Sequence, residues 1–475
     1  MCISKCQKSF LVWILCGSLI LLSACSAKPP SSQPESQASV PQPASTSPEE
    51  QPAGDHVEIE PCEVVYWHAM SGSRGETLEQ YVQRYNDTVG KELGITVTTV
   101  FQGNEIASKV RMASQESKLD NMPDISQTVG MDIPSISKLP MVAPAENFIN
   151  SANSKIKKDD IYEHFLRAFT YEDVLVGMPM NCSSLLLHYN ADLLREAGLD
   201  GPPETLAELA EYTEKLTVRE NGKIVRYGLT VGFERYQLVN FCTSQGSFFG
   251  DNEGGRSGPM TKVVIDEDGT LVKFLTEWQK IVDTGGLKMV DDNINEEFAV
   301  GITAMTLMSS SRIGAVKGLV GDSFDYQTAP LPKVDPGDTF GASTGGSCLV
   351  MYDKGDANRL AAAWNFIEYA TSAETQMTWA QAGYIPVNKA AQGLPGMIAY
   401  YEENPQDRVA FEQIRNGNPL SQEPFDNVNW GGETFNALID IMQRFGDGKM
   451  TVGQAADEIV SEYNQYLIEY QRVNS

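Results

Sequence analysis

Histidine is scarce in this sequence and nothing gathers it. His56, His68, His164 and His188 each stand alone, with no His or Cys three or four residues on, and His-Glu-x-x-His is absent. That argues against a zinc site. Cysteine is equally unhelpful to a metal or redox reading. Cys2, Cys6, Cys16 and Cys25 crowd the amino terminus, while Cys62, Cys182, Cys242 and Cys348 are scattered without a Cys-x-x-Cys pair. Four buried thiols is the simpler expectation for the latter, and a Cys182–Cys348 disulfide the lesser one. Positive charge is short: 36 Lys and Arg against 63 Asp and Glu give a net charge of −27. A nucleic-acid partner needs clustered basic residues, so none is expected. No cofactor motif is present. The apolar run Phe10–Leu22 falls short of the roughly 20 residues that cross a bilayer.

That run has a different meaning. It follows Lys5 and Lys8, as a signal-peptide core follows its basic region. It ends in Leu22-Ser23-Ala24-Cys25, which resembles the bacterial lipobox. The resemblance implies removal of residues 1–24 and a lipid on the Cys25 thiol. The protein would then sit on the cell membrane, anchored at its extracellular or periplasmic face. An ordinary signal peptide that contains a Cys is the alternative. Residues 26–55 hold seven Pro, seven Ser and four Gln. Such a composition buries nothing, so residues 25–56 read as the lipidated Cys25 and a disordered tether.

Beyond the tether, strand-like runs alternate with helical periodicity, the mark of an α/β protein. Val64–Trp67, Ile95–Phe101, Pro123–Ser126, Val174–Met180, Ile302–Met308 and Ser347–Tyr352 are the expected strands. Leu78, Tyr81, Val82 and Tyr85 mark one helix face, and Ile106, Val110 and Ala113 another. Asn190 is placed to cap a short helix that Gly198 ends, and Thr205 to cap a second. Later helices are expected over Ala361–Ala370, Gly431–Phe445 and Gln454–Tyr470. A chain of 475 residues is long enough for two domains.

Two stretches suggest chemistry. Gly341-Ala342-Ser343-Thr344-Gly345 spells G-x-S-x-G. A nucleophile elbow has a strand before its Ser and a helix after, whereas here a loop-like "VDPGDTF" precedes and a strand follows. In "YWHAMSGSRGE", Ser73 and Glu76 form an S-x-x-E capping box, so Ser73 reads as a helix cap and not a nucleophile. The helix then starts at the carboxyl end of the first strand, where ligands bind in open α/β sheets. Trp67 and His68 read as core or cleft-rim residues.

Six blocks occur in order: "YWHAMSG", "FQGN", "VGMPMNCSSLLLHYNADLLREAGL", "TAMTLMSSSRIG", "STGGSCLVMY" and "AGYIPVNKAA". Together they resemble the family-1 extracellular solute-binding proteins of ABC importers, and most of all the sn-glycerol-3-phosphate-binding branch. The resemblance spans roughly residues 62–470. It implies a periplasmic-binding-protein-like (type II) α/β fold, with two lobes and a ligand cleft between them. Chain crossings are implied near Met180–Ser184, Phe340–Ser343 and Tyr384–Asn388. Lobe 1 would hold residues 57–181 plus 343–385, and lobe 2 residues 182–342 plus 386–475.

Ligand residues carry over in part. Ser183, Ser309 or Ser310 (Ser310 is taken), Gly346 and Tyr384 match positions of the branch. Glu105 stands where the branch has Tyr, and Asn429 about where it has an Arg that holds phosphate. Losing that Arg and gaining a carboxylate disfavours a dianion and favours hydroxyls. Trp430, Tyr236, Phe233 and Tyr384 are available to stack on a sugar face. Arg312 or Arg235 would be needed to rescue phosphate binding. Sugar therefore ranks ahead of glycerol phosphate.

The expectation is a monomeric, lipid-anchored, non-enzymatic binding protein that delivers a small polar solute to ABC permease subunits. The alternatives are a secreted serine hydrolase using Ser343 and a surface module that senses solute.

Overall fold

The computed structural model describes residues 59–115, 119–290, 293–428 and 432–474. The expected signal peptide, Cys25 and tether, together with Asn429 and Trp430, lie outside them.

Fourteen strands are found among the described residues. They are β1 Cys62–His68, β2 Ile95–Phe101, β3 Ile125–Val129, β4 Val142–Ala143, β5 Thr170–Tyr171, β6 Val174–Leu175 and β7 Met178–Ser183. After them come β8 Leu185–Asn190, β9 Val218–Glu220, β10 Lys223–Val231, β11 Leu287–Met289, β12 Thr303–Ser309, β13 Tyr326–Pro330 and β14 Gly345–Tyr352. The first sheet runs β2-β1-β3-β14-β4, with β7 also on β14; the second runs β11-β10-β12-β8-β13, with β9 on β10. β1 is parallel to β2 and β3, and β14 is antiparallel to β3 and β7. β10 is parallel to β11 and β12, and β8 runs antiparallel to β12 and β13. The α/β reading holds: one core packs the first sheet and extends to Leu186, Met308 and Tyr326 of the second, and another packs the rest of the second.

Helices cover the sheets by the expected apolar stripes. Gly72–Asp87 buries Leu78, Tyr81, Val82 and Tyr85, and Tyr85 meets Phe366 edge-on at 5.1 Å. In the second core Phe241 stacks on Phe274 at 4.9 Å, and both touch Trp278. Asn190 and Thr205 cap as expected, accepting from the Leu193 and Glu208 N–H groups at 3.1 Å.

Ser184 alone separates β7 of the first sheet from β8 of the second. Residues 331–344 carry the chain back from β13 to β14. The third expected crossing lies further on. Ile385 donates to the Cys182 carbonyl at 2.8 Å and Asn388 bridges Ile161, so Tyr384–Asn388 stays against β7 of the first sheet. The chain reaches the second sheet with helix Pro405–Asn416, where Thr328 Oγ1 donates to the Gln406 carbonyl at 2.8 Å.

Two expectations are corrected. The capping box at Ser73 does not form: the helix starts at Gly72 with Ser71 as its cap, which places Ser73 inside the first turn. "VLVGMPM" is two strands and not one. A Cβ on Gly177 would stand 2.4 Å from Cys348 Sγ, so the chain passes close beneath β14 there. The four thiols are free, as the simpler expectation has it; Cys182, Cys242 and Cys348 are buried, whereas Cys62 is only half-buried.

Candidate functional site

The parallel strands of both sheets end at one cleft of ≈ 1270 Å³. From the first sheet come the loop after β1 (Ala69–Ser73), the turn after β3 (Val129–Asp132), the end of β7 (Asn181, Ser183) and the start of β14 (Thr344–Ser347). From the second come Gly232 and Glu234–Gln237 after β10, and Leu307–Ser309, Ser311 and Arg312 after β12. Carboxyl-terminal strand ends are where open α/β sheets present their binding groups.

A polar chain sets the first wall. The Ala69 N–H donates to Gln127 Oε1 at 2.9 Å, Gln127 Nε2 to Ser347 Oγ at 2.8 Å, and Ser347 Oγ to Asn181 Oδ1 at 2.7 Å. Tyr384 packs edge-on against Trp379 at 5.1 Å, and its hydroxyl lies 3.5 Å from Met70 Sδ. Burial raises the pKa of that phenol, while Arg74 and Asn181 beside it act in the opposite sense.

Each wall holds a hydroxyl without a hydrogen-bond partner, Tyr236 on the second and Thr344 on the first. Tyr236 Oη and Thr344 Oγ1 are buried and have no hydrogen-bond partner among the described residues. Ser183 and Asn240 lie beside the Tyr236 phenol, yet neither meets it in hydrogen-bond geometry. A Cβ on Gly345 would stand 2.8 Å from Tyr236 Oη, so the glycine makes room for the phenol. A buried hydroxyl without a partner costs about 1–3 kcal/mol, which a hydroxylated ligand would relieve.

Charge in the cleft is mixed. Glu105, Asp132, Glu234 and Glu423 line it together with Arg74, Arg235, Arg256 and Arg312. Burial raises the carboxyls of Glu234 and Glu423 above their ordinary range and takes Asp132 up to about 6. Arg235 is committed: Nη2 reaches Asp426 at 2.6 Å, Nη1 Glu423 at 3.2 Å and Nε Tyr463 at 2.8 Å. Arg256 lies over the Phe425 ring at 4.2 Å and donates to the Glu423 carbonyl at 2.8 Å. Burial and neighbouring Arg167 lower its pKa to about 9.

Of the residues expected at the ligand, Glu105, Ser183, Tyr236, Gly346 and Tyr384 line this cleft. Ser310 does not. It is fully buried, and its Oγ accepts from the Ser184 N–H at 3.3 Å, so it is spent on the crossing between sheets. Gly346 has a packing reason of its own: at φ +107, a Cβ would stand 2.1 Å from the Asn181 carbonyl oxygen. Phe233 stacks into the second core against Phe274 and Trp278, away from the cleft. His68 is 4% exposed and packs between Tyr66 and Phe101. Thr344, Asn181 and Glu423 were missed as site residues. Asn181 adjoins the polar break that drew attention to Ser183; Thr344 and Glu423 carry no local signal.

Ser343 is fully buried at the entry to β14, and its N–H donates to Asn240 Oδ1 at 2.9 Å. No strand-to-helix elbow surrounds it.

A bacterial extracellular solute-binding protein family model matches residues 80–406, and the chain belongs to that family. It is a binding protein and not an enzyme. It is 26% identical to the sn-glycerol-3-phosphate-binding periplasmic protein UgpB of Salmonella typhimurium over 424 residues, covering 86% of this chain and 94% of that protein. Among solved structures, UgpB from Mycobacterium tuberculosis in complex with glycerophosphocholine aligns with a TM-score of 0.71 at 18% identity, covering 86% of this chain and 99% of that one. The GacH receptor of Streptomyces glaucescens, solved unliganded and with acarbose, aligns at 0.68 and 19% identity, covering 86% and 98%. These structural likenesses establish the fold.

Proposed function

We propose that this chain captures a small polyhydroxylated solute, a sugar or a glycerol-phosphate-type compound, and delivers it to the permease of an ABC importer. Lobe closure about the segments that join the two sheets would trap the solute, and the permease would recognise the closed form. A lipid on Cys25 would hold the protein at the membrane. The observation that carries the reading is the pair of buried, unpartnered hydroxyls, Tyr236 Oη and Thr344 Oγ1, on the walls of a cleft fed by both sheets.

Sugar ranks first. Asp426, Glu423 and Tyr463 hold the guanidinium of Arg235, so it is not offered to a phosphate. Arg74 and Arg312 supply the positive charge that an anionic solute would need. The relatives, named for sn-glycerol-3-phosphate, and the structural neighbours, solved with glycerophosphocholine and acarbose, support both classes of solute. Thermal denaturation against neutral sugars, polyols, sn-glycerol 3-phosphate and glycerophosphocholine tests the proposal. One class should raise the melting temperature; no shift with any of them would overturn it. Mass spectrometry of the amino terminus in wild type and Cys25→Ala tests the anchor, which should be present only in the former.

A further inference from the structure

Two buried guanidiniums, Arg235 and Arg256, meet two acids, Asp426 and Glu423, on the cleft floor. Arg235 is 1% exposed and its natural counter-ion is Asp426, whose side chain is fully buried and lies 2.6 Å away. Tyr463 adds a second acceptor on Nε, and the Pro424 carbonyl takes Nη2. One acid suffices for one guanidinium, yet a second carboxylate, Glu423, reaches Nη1 at 3.2 Å with 18% of its side chain exposed. Arg256 adds a second positive charge beside that carboxylate, which is thereby held in place while part of it stays open to the cleft for a further task.

Its position indicates that task. The neighbouring Gln422 forms a parallel bridge with Thr344, and Glu423 and the unpartnered Thr344 both line the cleft. Phe425 fixes the other side of the turn: its N–H donates to the Gly254 carbonyl at 2.8 Å and its ring carries Arg256. The Glu423 backbone is held as well, since Arg256 Nη2 donates to its carbonyl at 2.8 Å. A carboxylate so fixed has one oxygen on Arg235 and acceptor capacity left over. It is arranged in advance to receive hydroxyl hydrogens, and such charge-assisted bonds are about twice as strong as neutral ones.

We infer that Glu423 is a specificity-determining ligand contact, accepting from a hydroxyl of the bound solute, with Arg235 as the residue that positions it. The inference rests on the reading of the cleft as a polyol site.

Isothermal titration of wild type, Glu423→Gln and Glu423→Asp tests it, with glucose, maltotriose, glycerol, sn-glycerol 3-phosphate and glycerophosphocholine as probes. Every probe carries hydroxyls. Whichever binds wild type should lose about ten-fold or more in affinity to the Gln variant, the loss expected for one charge-assisted bond. The melting temperature without probe separates this from misfolding. Should the Gln variant melt early, the Asp variant keeps the charge on Arg235 but withdraws the acceptor by one methylene, and it too should bind weakly. Wild-type affinity in whichever of these variants is folded overturns the role of Glu423 and leaves the binding reading standing. Failure of every probe to bind wild type overturns both.

Discussion

Ser184 and Ser310 exchange two hydrogen bonds. The Ser310 N–H donates to the Ser184 carbonyl at 2.8 Å, and the Ser184 N–H donates to Ser310 Oγ at 3.3 Å. Ser184 is the single residue between a strand of one sheet and a strand of the other, so this exchange pins the crossing to the end of β12. Ser310→Ala leaves the Ser184 N–H buried without its acceptor. A loss of about 1–3 kcal/mol is expected, read as a lower urea midpoint at unchanged slope.

The buried pair of Arg235 and Asp426 predicts an asymmetry. Arg235→Ala strands a fully buried carboxylate and should cost about 3–5 kcal/mol. Replacing both partners, Arg235→Met with Asp426→Leu, should cost less, because the fully buried carboxylate is gone and only the partly exposed Glu423 then loses its guanidinium. Urea denaturation of the single and double variants measures the difference. Equal losses would show that the pair is not the source of the stability.

Asp132 predicts a pH dependence. Burial raises its carboxyl from 3.8 to about 6, against the Arg111 guanidinium 3.7 Å away. Between those values the native state keeps a proton that the unfolded chain has released. This contribution to stability is therefore present at low pH and lost as pH rises towards about 6. Asp132→Asn should gain on wild type across that window, by about 2 kcal/mol at its upper end. Denaturation midpoints of both proteins between about pH 4 and pH 7 would show curves that draw apart as pH rises if the reading is right, and parallel ones if it is not.

Gly346 predicts a substitution the fold will not absorb. Its φ of +107 and the Asn181 carbonyl oxygen, 2.1 Å from where a Cβ would stand, both oppose any side chain. Gly346→Ala should cost at least about 2 kcal/mol and disturb the pairing of β7 with β14. Amide hydrogen exchange should show faster exchange in Asn181–Ser183, and not in β10.

The sequence marked the fold most clearly where one face of an element is buried and the other wet. Ile95–Phe101 and the stripe Leu78, Tyr81, Val82, Tyr85 are of that kind. It was quiet where burial is complete or absent. Leu185–Asn190 is buried nearly throughout and runs straight into a helix cap, while Lys223–Val231 begins exposed and polar. Both strands were missed. In the cleft, Ser183 was legible because "NCSS" interrupts an apolar run. Thr344 and Glu423 were not, because a hydroxyl without a partner and a carboxylate set between two distant arginines are facts of the assembled molecule. Ser310 misled for the same reason: its neighbour in space, Ser184, is remote in the chain.

The position of β14 sets the order in which the molecule can be finished. It lies between β3 and β4 and also pairs with β7, although all three precede it by a long stretch of chain. Until Gly345–Tyr352 has emerged from the ribosome, the first sheet has β1, β2 and β3 but no centre, and β4 and β7 have nothing to join. Loop closure of that length is slow. A nascent chain built this way cannot complete its first sheet until 352 of its 475 residues have been made.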